Sequence, residues 1–206
     1  MNVRSSNTNK QTIDAYNKSV GAYVENTPPK VDGHIKTWLD ACISLLDPPS
    51  KILEVGVGHG KDADYLESKG FKVERTDASS SFIDYQKSKG HEAKILNVLT
   101  DDINDGYDMI LADAVWLHFT PQEARLAAKK VLNALNAGGL FALSIKEGDG
   151  TELTDRKLGQ TRYFCYWREA EINRLLQEVG FRNIKAKLAT DYRPDYPGWL
   201  LIIAGK

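Results

Sequence analysis

The chain changes its hydrophobic rhythm about a quarter of the way along. In "QTIDAYNKSVGAYVEN", Ile13, Tyr16, Val20 and Tyr23 recur at three- and four-residue steps, and "GHIKTWLDACISLL" follows as a second helical stretch. These predict two helices, the first ended by Pro28-Pro29 and the second by "DPPS". From residue 51 onward, short apolar runs alternate with helical stretches. "KILEVG", "FKVERT", "HEAKIL", "YDMILA", "LFALSI", "FRNIKAKL" and "WLLIIAGK" predict seven strands. Helices over 60–69, 79–89, 120–135 and 167–179 fall between most of them, with Gly70, Gly90, Gly138-Gly139 and Gly180 as C-terminal caps. The last two strands have only "ATDYRPDYPG" between them and should pair antiparallel at one edge. The predicted fold class is α/β: an open sheet of seven strands, mostly parallel with an antiparallel last strand, and helices on both faces. A helical cap over 1–46 and a core over 51–206 are expected to form a single domain, with the first ten residues disordered.

In such a sheet, ligands bind beyond the carboxyl ends of the strands, where the strand order reverses. The first of those ends reads "KILEVGVGHGKDADYL", with Gly56, Gly58 and Gly60 at alternate positions. Glycine tolerates positive φ and lets a ligand touch the backbone, and the helix start beyond it offers free N–H groups. The dinucleotide fingerprint G-x-G-x-x-G/A does not fit. Set on Gly56, its third small position falls on Lys61. The pattern that fits is E-x-G-x-G-x-G, and the Glu54 carboxylate in it suits a ligand with positive charge. Asp77, at the end of the second strand, stands where an acid accepts ribose hydroxyls. It also stands where an acid caps a helix beginning near Ser79. The ribose reading together with Glu54 describes a nucleoside without diphosphate, joined to a cation. S-adenosyl-L-methionine (SAM) has that composition.

The segments "ILEVGVGHG", "VERTDAS", "YDMILADAVWLHFTPQEA" and "LNAGGLFALSI" resemble those of class I SAM-dependent methyltransferases, from about residue 10 to the C-terminus. The resemblance implies a Rossmann-like fold and the cofactor SAM, with S-adenosyl-L-homocysteine (SAH) as its product. It implies cofactor contacts from Glu54, Gly56, Gly58, Gly60, Asp77 and Ala78. It places Asn97 and Val98 at the adenine, and Ala112 and Asp113 at the methionine end, where Asp62 of "GKD" also faces. Asn97 replaces the family's usual Asp but still accepts a hydrogen bond. A tyrosine of the N-terminal helix closes over SAM in the family; Tyr16 is the choice here, and simple packing is its other reading. Lys61 is equally well read as a solvated residue of the first helical turn.

Methyl transfer needs an aligned nucleophile and exclusion of water, so the site need not carry a diagnostic residue. Trp116 and His118 follow the fourth strand, and His118 reads as a base or as a helix-start residue. The long segment "KEGDGTELTDRKLGQTRYFCYW" reads as a lid. Tyr163 and Tyr166 are assigned from it to the pocket, Tyr163 as a catalytic group, and Phe164 and Trp167 to the core. Lys146, Tyr192 and Arg193 are assigned to the acceptor. Lys146, Arg162 and Arg168 flank the lid, and with Arg193 these cations would suit a carboxylate or phosphate, unless Glu147, Asp149, Glu152 and Asp155 neutralise them.

Composition narrows the acceptor. A formal net charge of −1 over 206 residues leaves no broad footprint for nucleic acid or anionic membrane. No apolar run approaches a membrane span, and no signal peptide is visible at the start. Cys42 and Cys165 lack metal-ligand spacing, and no metal is expected. The expected protein is a cytoplasmic methyltransferase, monomer or homodimer, acting at O or N of a small molecule. Alternatives are a methyltransferase of a tRNA base and a non-catalytic subunit of the same fold. An NAD-dependent oxidoreductase is disfavoured by Lys61.

Overall fold

The computed structural model describes residues 6–190 and 197–206. The central strand β1 (Lys51–Val55) pairs in parallel with β2 (Lys72–Asp77) on one side and β4 (Tyr107–Ala112) on the other. With β3 (Ala93–Ile95), β5 (Leu135–Lys146), β8 (Arg182–Ala189) and β9 (Trp199–Gly205), they form a seven-stranded sheet in the order β3-β2-β1-β4-β5-β9-β8. Only β9 runs against its neighbours, inserted between β5 and the edge strand β8. The chain moves outward from β1 to β3 and then returns to β4. The reversal therefore falls between β1 and β4, and it positions the site.

Alternation along the strands supplies a core on each face. Leu53, Val55, Ile110, Phe141 and Leu143 pack with α6 (Pro121–Ala134) and α7 (Glu169–Val179). Ile52, Met109, Leu111 and Ala142 pack with Trp38, Leu39 and Cys42 of α3 (Gly33–Ile43) and with Leu66 of α4 (Lys61–Ser68). Helix α5 (Ser80–Ser88) follows β2. Among the described residues, no helix is long and apolar enough to cross a membrane.

Four features depart from expectation. The first predicted helix is two, α1 (Asn7–Asn17) and α2 (Val20–Glu25). Asn17, Ser19 and Gly21 are poor helix interiors, and the Asn17 amide oxygen accepts instead from the Ser79 hydroxyl at 2.7 Å. The disordered start was set too long, because the Ser6 side chain caps α1 through Asn9 N–H at 3.1 Å; residues 1–5 lie outside the described residues. Gly138-Gly139 do not cap α6. They lie inside β5 at a register shift against β4, and a side chain at Gly139 would meet the carbonyls of Asn136 and Tyr107 at 3.0 and 3.2 Å. The expected lid is not a bare loop either. It carries an antiparallel hairpin, β6 (Thr151–Thr154) with β7 (Arg162–Cys165).

Candidate cofactor and acceptor site

The turn after β1 is pinned by β2. Gly56 and Val57 N–H both donate to the Thr76 carbonyl, at 2.9 and 2.8 Å. Asp77 Oδ2 accepts from Gly58 N–H at 3.0 Å, and Oδ1 accepts from Ser79 N–H at 2.8 Å. Ser79 itself caps α5, so Asp77 is not the cap. All three glycines have positive φ, +78° at Gly56, +52° at Gly58 and +96° at Gly60, but their roles differ. Gly56 and Gly58 line a cavity. Gly60 does not. A Cβ there would lie 2.7 Å from the Gln86 amide nitrogen and 2.9 Å from the Arg75 guanidinium, both buried. Gly60 is a packing residue, which corrects its assignment to the ligand. Gly60→Ala is expected to lower stability by about 1–3 kcal/mol through overpacking, while SAH affinity stays within a few-fold. Urea midpoints and calorimetry check the two halves.

The cavity opens between β1 and β4. Gly56, Gly58, Asp77, Ala78, Asn97, Val98, Asp113 and His118 converge on it, and Tyr16 closes it with Asn9, Thr12, Ile13 and Tyr23. Burial raises the Asp77 carboxyl to about 6, against the pull of amide donors from Ser79, Gly58 and Ala78. The Asn97 amide oxygen accepts from Leu99 N–H at 3.1 Å, and its nitrogen donates to Asn9 Oδ1 at 2.9 Å, which ties the third strand's loop to α1.

Acidic groups gather at one end. Lys61 Nζ lies 2.7 Å from both Asp62 oxygens and 2.8 Å from Asp113 Oδ2. It bridges buried Asp62 and partly buried Asp113 and is not a solvated first-turn residue. Burial works against ionisation of Asp113, but Lys61 and the Ser144 hydroxyl outweigh it and hold the carboxyl low. Burial, then the Asp113 charge, raises Asp62. Burial, then Asp62, raises Glu54, whose Oε2 is buried with no hydrogen-bond partner. Three carboxylates around one ammonium, with one oxygen unpartnered, fit a ligand that brings positive charge and N–H donors.

The other end is aromatic and basic. His118 Nδ1 lies 2.7 Å from the Tyr163 carbonyl, which only accepts, so Nδ1 carries the proton. Nε2 then accepts from the Tyr16 hydroxyl at 2.8 Å, and Tyr16 Oη accepts from Arg162 Nη1 at 3.2 Å. Burial pushes His118 down to about 3; the Tyr163 carbonyl opposes this, and Arg162 and Lys146 add to it. The imidazole is therefore neutral at any ordinary pH.

A family model described as a methyltransferase domain matches residues 30–186. The chain belongs to that family. It is a class I methyltransferase, and the family's cofactor is SAM. No curated protein matches the sequence. Among solved structures, it is similar to a SAM-dependent methyltransferase of Methanosarcina mazei, with 21% identity and TM-score 0.68, over 86% of this chain and 98% of that one. It is similar to the 1,6-didemethyltoxoflavin-N1-methyltransferase of Burkholderia thailandensis, bound to its substrate and SAH, with 19% identity and TM-score 0.73, over 100% and 93%. It is also similar to phosphoethanolamine N-methyltransferase 2 of Haemonchus contortus bound to SAM, with 13% identity and TM-score 0.73, over 92% of this chain and 57% of that one.

Several residues expected in the methyltransferase's site lie elsewhere. Trp116 is 0% exposed. Its indole N–H donates to the Ala124 carbonyl, and its ring packs on Phe119 and Phe141, so it is core and not an acceptor contact. The pleat of β7 reverses the assignment of its aromatics. Phe164 lies against the His118 ring, with centroids 4.8 Å apart, and Tyr163 joins the core beneath α6 and α7. Only the Tyr163 backbone serves the site, which corrects its catalytic assignment. Ala112 is core, and Glu54 and Asp62 stand behind the cavity wall. The Tyr166 hydroxyl donates to Glu152 at 2.7 Å, so Tyr166 is a strut of the hairpin. Lys146 Nζ lies 5.6 Å from the centroids of the Phe164 and Trp199 rings. Tyr192 and Arg193 lie outside the described residues.

Sequence reasoning missed Asn9, Thr12, Phe82, Val115 and Phe119 on the cavity wall. Asn9 and Thr12 carry no apolar periodicity, so nothing in the pattern marked them as buried.

Proposed function

We propose that this methyltransferase acts on nitrogen or oxygen of a small-molecule acceptor. The observation that carries the reading is one cavity whose lining joins the glycine turn, Asp77 and Asp113 to the Tyr16–His118 pair. When bound, SAM supplies an electrophilic methyl group on a cationic sulfur. Asp77 would hold the ribose hydroxyls, and Leu96, Val98 and Phe82 would form an apolar slot for the base. Asp113 would face the ammonium, backed by Asp62 through the Lys61 bridge.

At the opposite end, His118 holds the Tyr16 hydroxyl from Nε2. The Tyr16 proton is spent on that bond, and its oxygen is left to accept. An acceptor N–H or O–H donating to Tyr16 Oη would have its lone pair oriented toward the cofactor, and orientation is the main demand of this chemistry. His118 positions Tyr16. It is a poor general base, because a buried imidazolium beside Arg162 is disfavoured. The similar proteins from Burkholderia and Haemonchus are named as N-methyltransferases, which favours nitrogen here. Helix α1 and the β6–β7 hairpin cover the site, which favours a small molecule over a tRNA base.

SAH is expected to bind at micromolar affinity by calorimetry, and NAD is expected not to bind. Comparable affinity for both would sink the reading. A screen of amines and hydroxyl compounds for SAH release from SAM would then identify the acceptor class.

A further inference from the structure

Arg162 is 5% exposed. Its Nη1 donates to Tyr16 Oη, and its Nη2 donates to the Arg156 carbonyl at 2.7 Å. Its Nε–H has no partner. Among the described residues, no acid comes within ion-pair distance of it, and Glu147, Asp149 and Glu152 of the hairpin region are engaged elsewhere. Glu147 and Asp149 both pair with Arg168. Glu152 accepts from Tyr166 and lies 3.7 Å from Arg156.

Other cations reinforce this end. Lys157, in the loop joining β6 to β7, is exposed overall, but its ammonium is tucked against the Tyr23 ring, 4.9 Å from the centroid, and donates to Thr27 Oγ1 at 2.9 Å. Burial lowers its pKa, and Arg162, Lys146 and Lys61 push the same way. Asp77 and Asp113 line the methyltransferase cavity, and Arg162 stands directly behind its Tyr16 wall, with its guanidinium 5.0 Å from the centroid of the Phe164 ring. A buried guanidinium left without an anion is costly, and a planar fork with an open donor is suited to carboxylate or phosphate oxygens.

We propose that the methyl acceptor carries an anionic group, a carboxylate or a phosphate, and that Arg162 binds it. The inference rests on the methyltransferase reading and names the acceptor's chemical class. Arg162 also donates to Tyr16, so the anion would sit beside the hydroxyl that orients the nucleophile. Binding and alignment would then be coupled through one side chain.

The test uses the arginine Nε–H signals in nitrogen–proton correlation spectra of ¹⁵N-labelled protein loaded with SAH. The sample is titrated with inorganic phosphate, with acetate, and with chloride at matched ionic strength. One signal, missing in Arg162→Met, should shift saturably with phosphate or acetate and not with chloride. A response to phosphate alone assigns a phosphate acceptor, and a response to acetate alone assigns a carboxylate. Arg162→Lys keeps the charge and should retain weakened anion binding, read from backbone amide shifts around Tyr16. SAH affinity of both variants should match that of the parent, which a merely structural arginine would not give. If SAH binds and no arginine signal responds saturably to either anion, the anion inference is overturned and the methyltransferase reading stands. If SAH itself does not bind, the reading beneath the inference fails.

Discussion

Tyr16→Phe is expected to lower kcat by about 10²–10⁴-fold, the range for losing a group that aligns or deprotonates a nucleophile. SAH affinity should change little, because the hydroxyl is committed to His118 and Arg162. His118→Ala should cost a similar factor, since it removes the acceptor that fixes the Tyr16 proton. If the two residues act as a unit, the double variant should be no slower than the worse single variant. Losses that multiply would show two independent roles. The pH profile separates positioning from base catalysis. With His118 at about 3, turnover should show no histidine limb between pH 6 and 7. A limb there that disappears in His118→Ala would sink the positioning role and restore a general base. The same depression fixes a stability trend. Between about pH 6.5 and 3 the unfolded chain binds a proton at His118 that the folded chain refuses. The contribution of this group is complete above 6.5 and is lost as pH falls toward 3. His118→Ala should flatten that part of the acid limb in urea unfolding.

Much of this was visible in the sequence, and what was hidden has a common cause. The seven strands followed from runs such as "KILEVG" and "YDMILA", because a sheet buried on both faces writes itself as short apolar segments. Gly56, Gly58 and Asp77, which line the cavity, stood out because a turn that needs positive φ beside acids has few other uses. Tyr16, His118 and Arg162 were each candidates, but their linkage was hidden because it is built by long-range contacts. Arg162, Tyr16 and His118 come from three separate segments, and nothing local in any of them announces the other two. Tyr163 and Phe164 show the limit most clearly. In a four-residue strand the pleat decides which side chain faces the site, and a one-residue difference in register exchanges them. "RYFCYW" alone does not give that register. Pairing with Thr151–Thr154 does. Lys61 was ambiguous for a similar reason, since its partner Asp113 lies 52 positions away.

Asp77→Ala is expected to weaken SAH binding by about 1–3 kcal/mol, the range for stranding hydrogen-bonding partners in a site. The side chain has two duties. It accepts from Gly58 and Ser79 N–H, and so holds the glycine turn. It also lines the cavity, where it would receive ribose hydroxyls. Its pKa separates them. Burial raises the carboxyl from 3.8 to about 6, which corresponds to about 3 kcal/mol of ionisation free energy lost on folding. Between those values the folded chain holds a proton that the unfolded chain has released. Stability from this group is therefore greatest below about pH 4, falls as pH rises toward 6, and is level above that. Ligand binding has the opposite sign. Ribose hydroxyls donate best to the ionised carboxylate, so SAH affinity should climb as pH rises through about 6 and flatten above it, with a slope of at most about tenfold per pH unit. Asp77→Asn keeps the size and one acceptor but cannot titrate. It should bind SAH weakly and with no pH dependence near 6. Calorimetry from pH 5 to 7.5 on both proteins measures the contrast. If the unaltered protein binds SAH equally across that range, and Asp77→Asn binds as tightly, then Asp77 is only the pin of the turn and the ribose contact must come from another group.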